Sequence, residues 1–88
     1  MSNIGFTPQA FKDYEYWQNV NRKTLSQINK LIKDILRNGK LGMGHPEALK
    51  GKLFGYYSRH IDEKNRLVYK IEDEYIEIYS CKGHYDDK

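Results

Sequence analysis

Two alternating apolar stretches, residues 66–71 (RLVYKI) and 75–81 (YIEIYSC), flank the acidic run Glu72-Asp73-Glu74. Period-two alternation marks strands with one buried face, and runs this close read as an antiparallel hairpin. A two-residue turn at Asp73 and Glu74 sets the register. Glu72 then faces Tyr75, Ile71 faces Ile76, Lys70 faces Glu77 and Tyr69 faces Ile78. This places apolar against apolar on one face and Lys against Glu on the other. A slip of one residue would set Ile71 against Glu77 and mix the faces. Continued, the register predicts Leu67 opposite Ser80 and Arg66 opposite Cys81. Strands rise about 3.3 Å per residue, so His84 and Tyr85 emerge within reach of the Arg66 side chain. One sheet end thus gathers a guanidinium, an imidazole and a phenol.

The rest of the chain surrounds this hairpin. Residues 3–6 form a short apolar stretch suited to an edge strand. Thr7-Pro8 reads as a helix start, with Thr7 as N-cap and Pro8 in the first turn. Phe11, Tyr14 and Trp17 mark one face of a helix ending near Asn19. A second helix starts after Asn21. In it Leu25, Ile28, Leu31, Ile32, Ile35 and Leu36 recur at steps of three and four, and Gly39 is its expected left-handed cap. The two helices form a hairpin. Residues 39–51 hold four glycines and one proline, the composition of a long loop, and long ordered loops are disproportionately functional. A strand is expected over 52–61, followed by a turn at Asp62-Glu63-Lys64-Asn65. The order is β-α-α-β-β-β: an α+β fold, one domain over residues 1–88, with the helices on one face of an antiparallel sheet.

Bulk composition narrows the function classes. The net charge is +3 and the pI about 8.9, which suits RNA, DNA or an acidic protein as partner. The single cysteine, Cys81, excludes an internal disulfide. No apolar run approaches the roughly 20 residues of a membrane span, and the N-terminus lacks a signal-peptide core. The expected location is the cytoplasm, with no membrane partner.

Arg66, His84 and Tyr85 together suit phosphate chemistry. Arg presents a fork of donors to phosphate oxygens, His delivers a proton near neutral pH, and Tyr stacks on a base or hydrogen-bonds an oxygen. The candidate base is Glu47 in the Gly-rich loop, with Lys50 three residues later. Glu47 also admits a structural reading, as a first-turn acid of a short helix PEALK. Tyr56 and Tyr57 suit either burial or base stacking. Neither His45 nor His60 shows metal-ligand spacing, so no cofactor is expected. Cys81 near His84 admits a thiol-nucleophile reading, without a local signature to support it.

Four ordered motifs resemble one family: G-x-P-E-x-L-K at 44–50, G-x-x-S-R at 55–59, E-x-x-R-L-V-Y at 63–69 and the terminal His84-Tyr85. With DYEYWQNVNRKTLSQINKLIKDI upstream, the chain resembles the YoeB/Txe toxins of the RelE-like superfamily along nearly its whole length. The resemblance implies a RelE-like toxin of a toxin–antitoxin system. Such a toxin is a metal-independent endoribonuclease, an mRNA interferase that cleaves mRNA in the ribosomal A site and stops translation. It implies mRNA on the ribosome, the 16S and 23S rRNA of the A site and a YefM-like antitoxin as partners, with self-association expected. Carried over by motif, Glu47 is the proton acceptor, His84 the proton donor, Arg66 the phosphate-binding cation and Tyr85 an organiser of the RNA. Lys50 and Arg59 are the basic RNA-binding positions. Two departures stand out. The family's S-R-R is here Ser58-Arg59-His60, and Asp86, Asp87 and Lys88 follow the tyrosine. The competing reading is a catalytically impaired RelE-fold module that acts as an antitoxin-dependent co-repressor or binds RNA.

Overall fold

The computed structural model describes residues 3–84; Tyr85 and the tail at 86–88 lie outside the described residues. The elements run β1 (Asn3–Phe6), α1 (Pro8–Val20), α2 (Arg22–Asn38), β2 (Glu47–Ala48), a 3-10 turn (Gly51–Leu53), β3 (Tyr57–His60), β4 (Arg66–Glu72) and β5 (Tyr75–Ser80). They build one five-stranded sheet in the order β1-β5-β4-β3-β2. β1 pairs with β5 in parallel, and the remaining neighbours are antiparallel. The α+β order expected from the sequence is present, with the sheet mixed at one edge.

Capping chemistry sets the helix ends. Thr7 accepts the Ala10 amide at 3.0 Å and Pro8 opens α1. Asn21 closes α1 and caps α2, accepting the Lys23 and Thr24 amides through its side chain. Gly39 ends α2 with φ +64°, the left-handed region that glycine enters without a Cβ clash. Ile28, Leu31, Ile32 and Ile35 from α2 bury against Leu67, Tyr69, Ile76 and Ile78, the inward residues of β4 and β5. On α1 the buried positions are Ala10, Asp13 and Trp17, and the expected Phe11 is 54% exposed. Among the described residues, no helix is long and apolar enough to cross a membrane.

Three expectations change. The hairpin register holds from Glu72–Tyr75 to Tyr69–Ile78, but Val68 then pairs with Ser80, leaving Tyr79 as an extra residue in β5. Arg66 therefore lies opposite the segment beyond Cys81, and its amide donates to the Gly83 carbonyl at 3.0 Å. The bulge turns Cys81 into the core. There its amide donates to Asp13 Oδ2 at 3.0 Å, and its carbonyl accepts Trp17 Nε1 at 2.8 Å. The second change is at Glu47, which lies in β2, an edge strand against β3, and not in a short helix. The third is at 52–56, where Gly51 and Gly55 take φ +67° and +97° and break the expected long strand. Only Tyr57–His60 is extended there, and Phe54 stays 81% exposed.

Arg59 is the largest fully buried side chain. Its Nε donates to the Tyr69 hydroxyl at 3.0 Å. Nη1 pairs with Asp34 and donates to the Met43 carbonyl; Nη2 donates to the carbonyls of Gly39 and Leu41. These five bonds use every N–H of the guanidinium. The expectation that Arg59 binds RNA is thereby corrected: the side chain is enclosed and its donors are committed. It fastens the loop after α2 onto β3 and β4. Gly44, where that loop meets the sheet, has φ +84°, and a Cβ there would lie 2.9 Å from Leu31 Cδ2 and 3.2 Å from Arg59 Cβ. Truncation of Arg59 strands Asp34, the Tyr69 hydroxyl and three loop carbonyls. Arg59→Ala is expected to cost about 3–5 kcal/mol of stability, read from the urea denaturation midpoint of the purified protein.

Candidate active site

Strand pairing decides which side chains meet on the face away from the helices. Glu47 pairs with Ser58, and His60 pairs with Arg66. Side chains alternate along a strand, so Arg59 points into the core while Ser58, His60, Arg66 and Glu47 share the open face. The Gly83 amide donates to Asn65 Oδ1 at 2.7 Å, and its carbonyl accepts the Arg66 amide. This double tie brings His84, the next residue, to the same end of the sheet. His45 completes the group, with its ring centroid 5.4 Å from that of His60.

Electrostatics report the same juxtaposition. Burial, and the positive charges of Arg66, His45 and His84, push the His60 imidazole below its usual range, and Glu47 opposes them. Exposed charges act over roughly a Debye length, about 8 Å at physiological ionic strength. Glu47, Arg66 and His84 thus all act on the His60 ring. Glu47 and His84 are exposed, and Arg66 is half-buried.

Arg66 is held by the turn that precedes it. Its Nη1 donates to the carbonyls of Asp62, Glu63 and Asn65. Asp62 builds that turn, its Oδ1 accepting the amides of Lys64 and Asn65 at 2.8 and 2.7 Å. Burial raises the Asp62 carboxyl, but these hydrogen bonds and Arg66 outweigh it and hold the group below the usual carboxylate range. Lys50, exposed, caps the 3-10 turn three residues beyond Glu47. Cys81 is fully buried, and burial beside Asp13 pushes its thiol up to about 12. A thiol this reluctant to ionise is no nucleophile at neutral pH. Among the described residues, no group of three or more His, Cys, Asp or Glu side chains is placed to hold a metal ion.

Motif reasoning missed Asn65, Asp62, Asp13 and Trp17, which position the C-terminal segment and Arg66 without being candidates for chemistry. It also took Arg59 for an exposed basic residue of β3, whereas the β3 side chain that shares the open face with Arg66 is His60. Counting alternation back from Glu47 and Arg66 through the paired strands is the signal that identifies His60.

Comparison with known proteins shows the family. Residues 6–85 match the family described as the YoeB-like toxin of bacterial type II toxin–antitoxin systems. The chain belongs to this family. Toxin YoeB of Streptomyces coelicolor is 46% identical over 82 residues, spanning 93% of this chain and 98% of that protein. Among solved structures, YoeB in a heterotetrameric YoeB–YefM toxin–antitoxin complex from Staphylococcus aureus superposes with a TM-score of 0.89. It is 52% identical and covers 97% of this chain and 99% of its own. A YoeB dimer from the same organism gives a TM-score of 0.90 at 53% identity, covering 96% and 98%.

Two outcomes follow from the anchoring. Asn65→Ala removes the acceptor of the Gly83 amide, a bond worth about 1 kcal/mol. Hydrogen exchange at Gly83 should accelerate about fivefold, while core amides of β4 keep their protection. Cys81 should resist iodoacetamide at pH 8 in the native protein and react readily in denaturant; rapid native alkylation would contradict its burial.

Proposed function

We propose that this YoeB-like toxin is a metal-independent endoribonuclease that cleaves mRNA in the ribosomal A site and thereby halts translation. The observation that carries the reading is the convergence of Glu47, Arg66 and His84 on one end of the open sheet face. In the proposed reaction the ribose 2′-hydroxyl attacks its adjacent phosphorus. Glu47 accepts the hydroxyl proton. His84 donates a proton to the departing 5′-oxygen as the P–O5′ bond breaks. Arg66 stabilises the charge that grows on the phosphoryl oxygens, the kind of preorganised electrostatic contribution that often dominates catalysis. The products are a 2′,3′-cyclic phosphate and a 5′-hydroxyl. DNA lacks the nucleophile and is not a substrate. Tyr85, next in the chain, is proposed to help arrange the RNA, and Lys50 to contact its backbone.

Ribosome dependence rests on the family resemblance and on the net charge of +3, which suits the rRNA phosphates of the A site. Binding through such contacts weakens steeply with salt. By likeness to the staphylococcal relatives, we assign a YefM-like antitoxin as inhibitor and self-association as a second interaction. The place of action is the cytoplasm, where translating ribosomes are. The presence of Glu47, Arg66 and His84 together argues against the impaired binding-module reading.

The test is single-turnover cleavage of ribosome-bound mRNA, followed by primer extension. Glu47→Gln and His84→Gln are expected to slow cleavage by roughly 10²–10⁴-fold, with Arg66→Ala at least as damaging. Discrete cuts at the A-site codon support the reading. Absence of cutting by the wild-type chain, with retained RNA binding, would replace it with the binding module.

A further inference from the structure

His60 is the residue around which the site is arranged, and the reaction above gives it no task. It faces Arg66 across the β3–β4 pair and stands two residues from Ser58, the partner of Glu47. Its amide donates to the Gly44 carbonyl at 2.7 Å, so its backbone is fixed at the mouth of the Gly-rich loop. The titratable groups acting on its ring come from every neighbouring segment: His45 from the loop, Glu47 from β2, Arg66 from β4 and His84 from the C-terminal segment. An anion held between Arg66, Glu47 and His84 would therefore be held against His60 as well.

On this basis, and resting on the ribonuclease reading, we propose that His60 is a further phosphate contact that binds RNA as imidazolium, taking up a proton as the RNA docks. Without RNA, burial and three neighbours that are cationic or can become so disfavour a charge on the ring. A phosphodiester brings one negative charge into this cluster and offsets the repulsion from Arg66. An opposite charge nearby favours the protonated form. The imidazolium then has two N–H donors where the neutral ring has one. The binding-linked proton lands on His60 Nδ1 or Nε2 and is drawn from solvent. In the RNA-free protein the ring titrates below its ordinary range; with RNA bound it titrates higher. Between those two values RNA affinity falls as pH rises, by up to one proton's worth of linkage. Arginine at this position would bind without that dependence.

The experiment is a pH titration of the histidine Cε1–Hε1 NMR signals, with and without a short single-stranded RNA made uncleavable by one 2′-deoxynucleotide, at low salt. The His60 signal is identified by its loss in His60→Gln. Its midpoint should rise by about one unit or more when RNA is added, equivalent to about a tenfold change in affinity across the window. His60→Gln should lose that tenfold share of the pH dependence, and His60→Arg should bind at pH 8 as wild type does at pH 6. An unchanged or lower His60 midpoint with RNA present, or a His60→Gln protein with wild-type pH dependence, overturns the proposal. The ribonuclease reading fails separately, through absence of ribosomal cleavage by the wild-type chain.

Discussion

A charged group without water around it is among the costliest things a fold can contain, and this domain places one at its centre. Arg59 is completely enclosed. The arrangement is tolerable only because Asp34 supplies the opposite charge and each N–H finds an acceptor. Those acceptors belong to the end of α2, the loop that follows it and β4. Two of the carbonyls, those of Gly39 and Leu41, lie just past the end of α2, where the helix dipole presents its negative pole. The loop conformation is thus dictated by what the guanidinium requires. The same demand shapes its other neighbours: burial raises the Tyr69 phenol against the lowering pull of Arg59, and the bond from Arg59 lowers the Asp34 carboxyl despite partial burial.

Glu47 reaches the open face in β2, just past the loop; the candidate site also includes the C-terminal segment, and chain ends are seldom held in place. Here the segment is fixed at two points. Asp13 and Trp17 on α1 hold the amide and carbonyl of Cys81, and Asn65 with the Arg66 backbone holds both polar groups of Gly83. Gly83 itself takes φ +78°, a turn that a side chain would resist. His84 emerges from a braced hinge. The two halves of the site are therefore set by separate polar networks, one centred on Arg59 and one on Asn65 and Asp13. They meet at the His60–Arg66 pair.

How much of this could be read beforehand follows from what each signal encodes. Thr7, Pro8, Asn21 and Gly39 act within their own helix ends, so their roles were legible. Ile71–Ile76 and Lys70–Glu77 pairing was legible because one register alone keeps the faces apart. The bulge at Tyr79 was not, because it answers to Asp13 and Trp17, some 60 residues upstream and invisible to local alternation. The edge strand at Glu47 was hidden for a similar reason: two residues carry no periodicity, and their pairing partner lies across a glycine-bracketed turn. Arg59 misled because a basic residue in a motif reads as a surface contact, and only tertiary partners reveal a buried one. Its neighbour His60 stands where the family's motif has a second arginine.

A small fold must also place its cations so that their mutual repulsion does not undo it. Fixed cations crowded at one sheet end repel one another, and a chain of 88 residues has little stability to set against this repulsion. The structure contains three answers to the problem. Arg59 is permanently charged and permanently neutralised by Asp34, so it adds rigidity and almost no field at the open face. Arg66 keeps its charge but leans on the carbonyls of its own turn. Histidine offers a third answer, a cation made only when something nearby rewards it. His45, His60 and His84, the chain's complement of histidines, all stand at this end. Glu47 and Arg66 stand beside them, so the charged side chains of the open face are gathered over a frame whose own buried cation is already paired with Asp34.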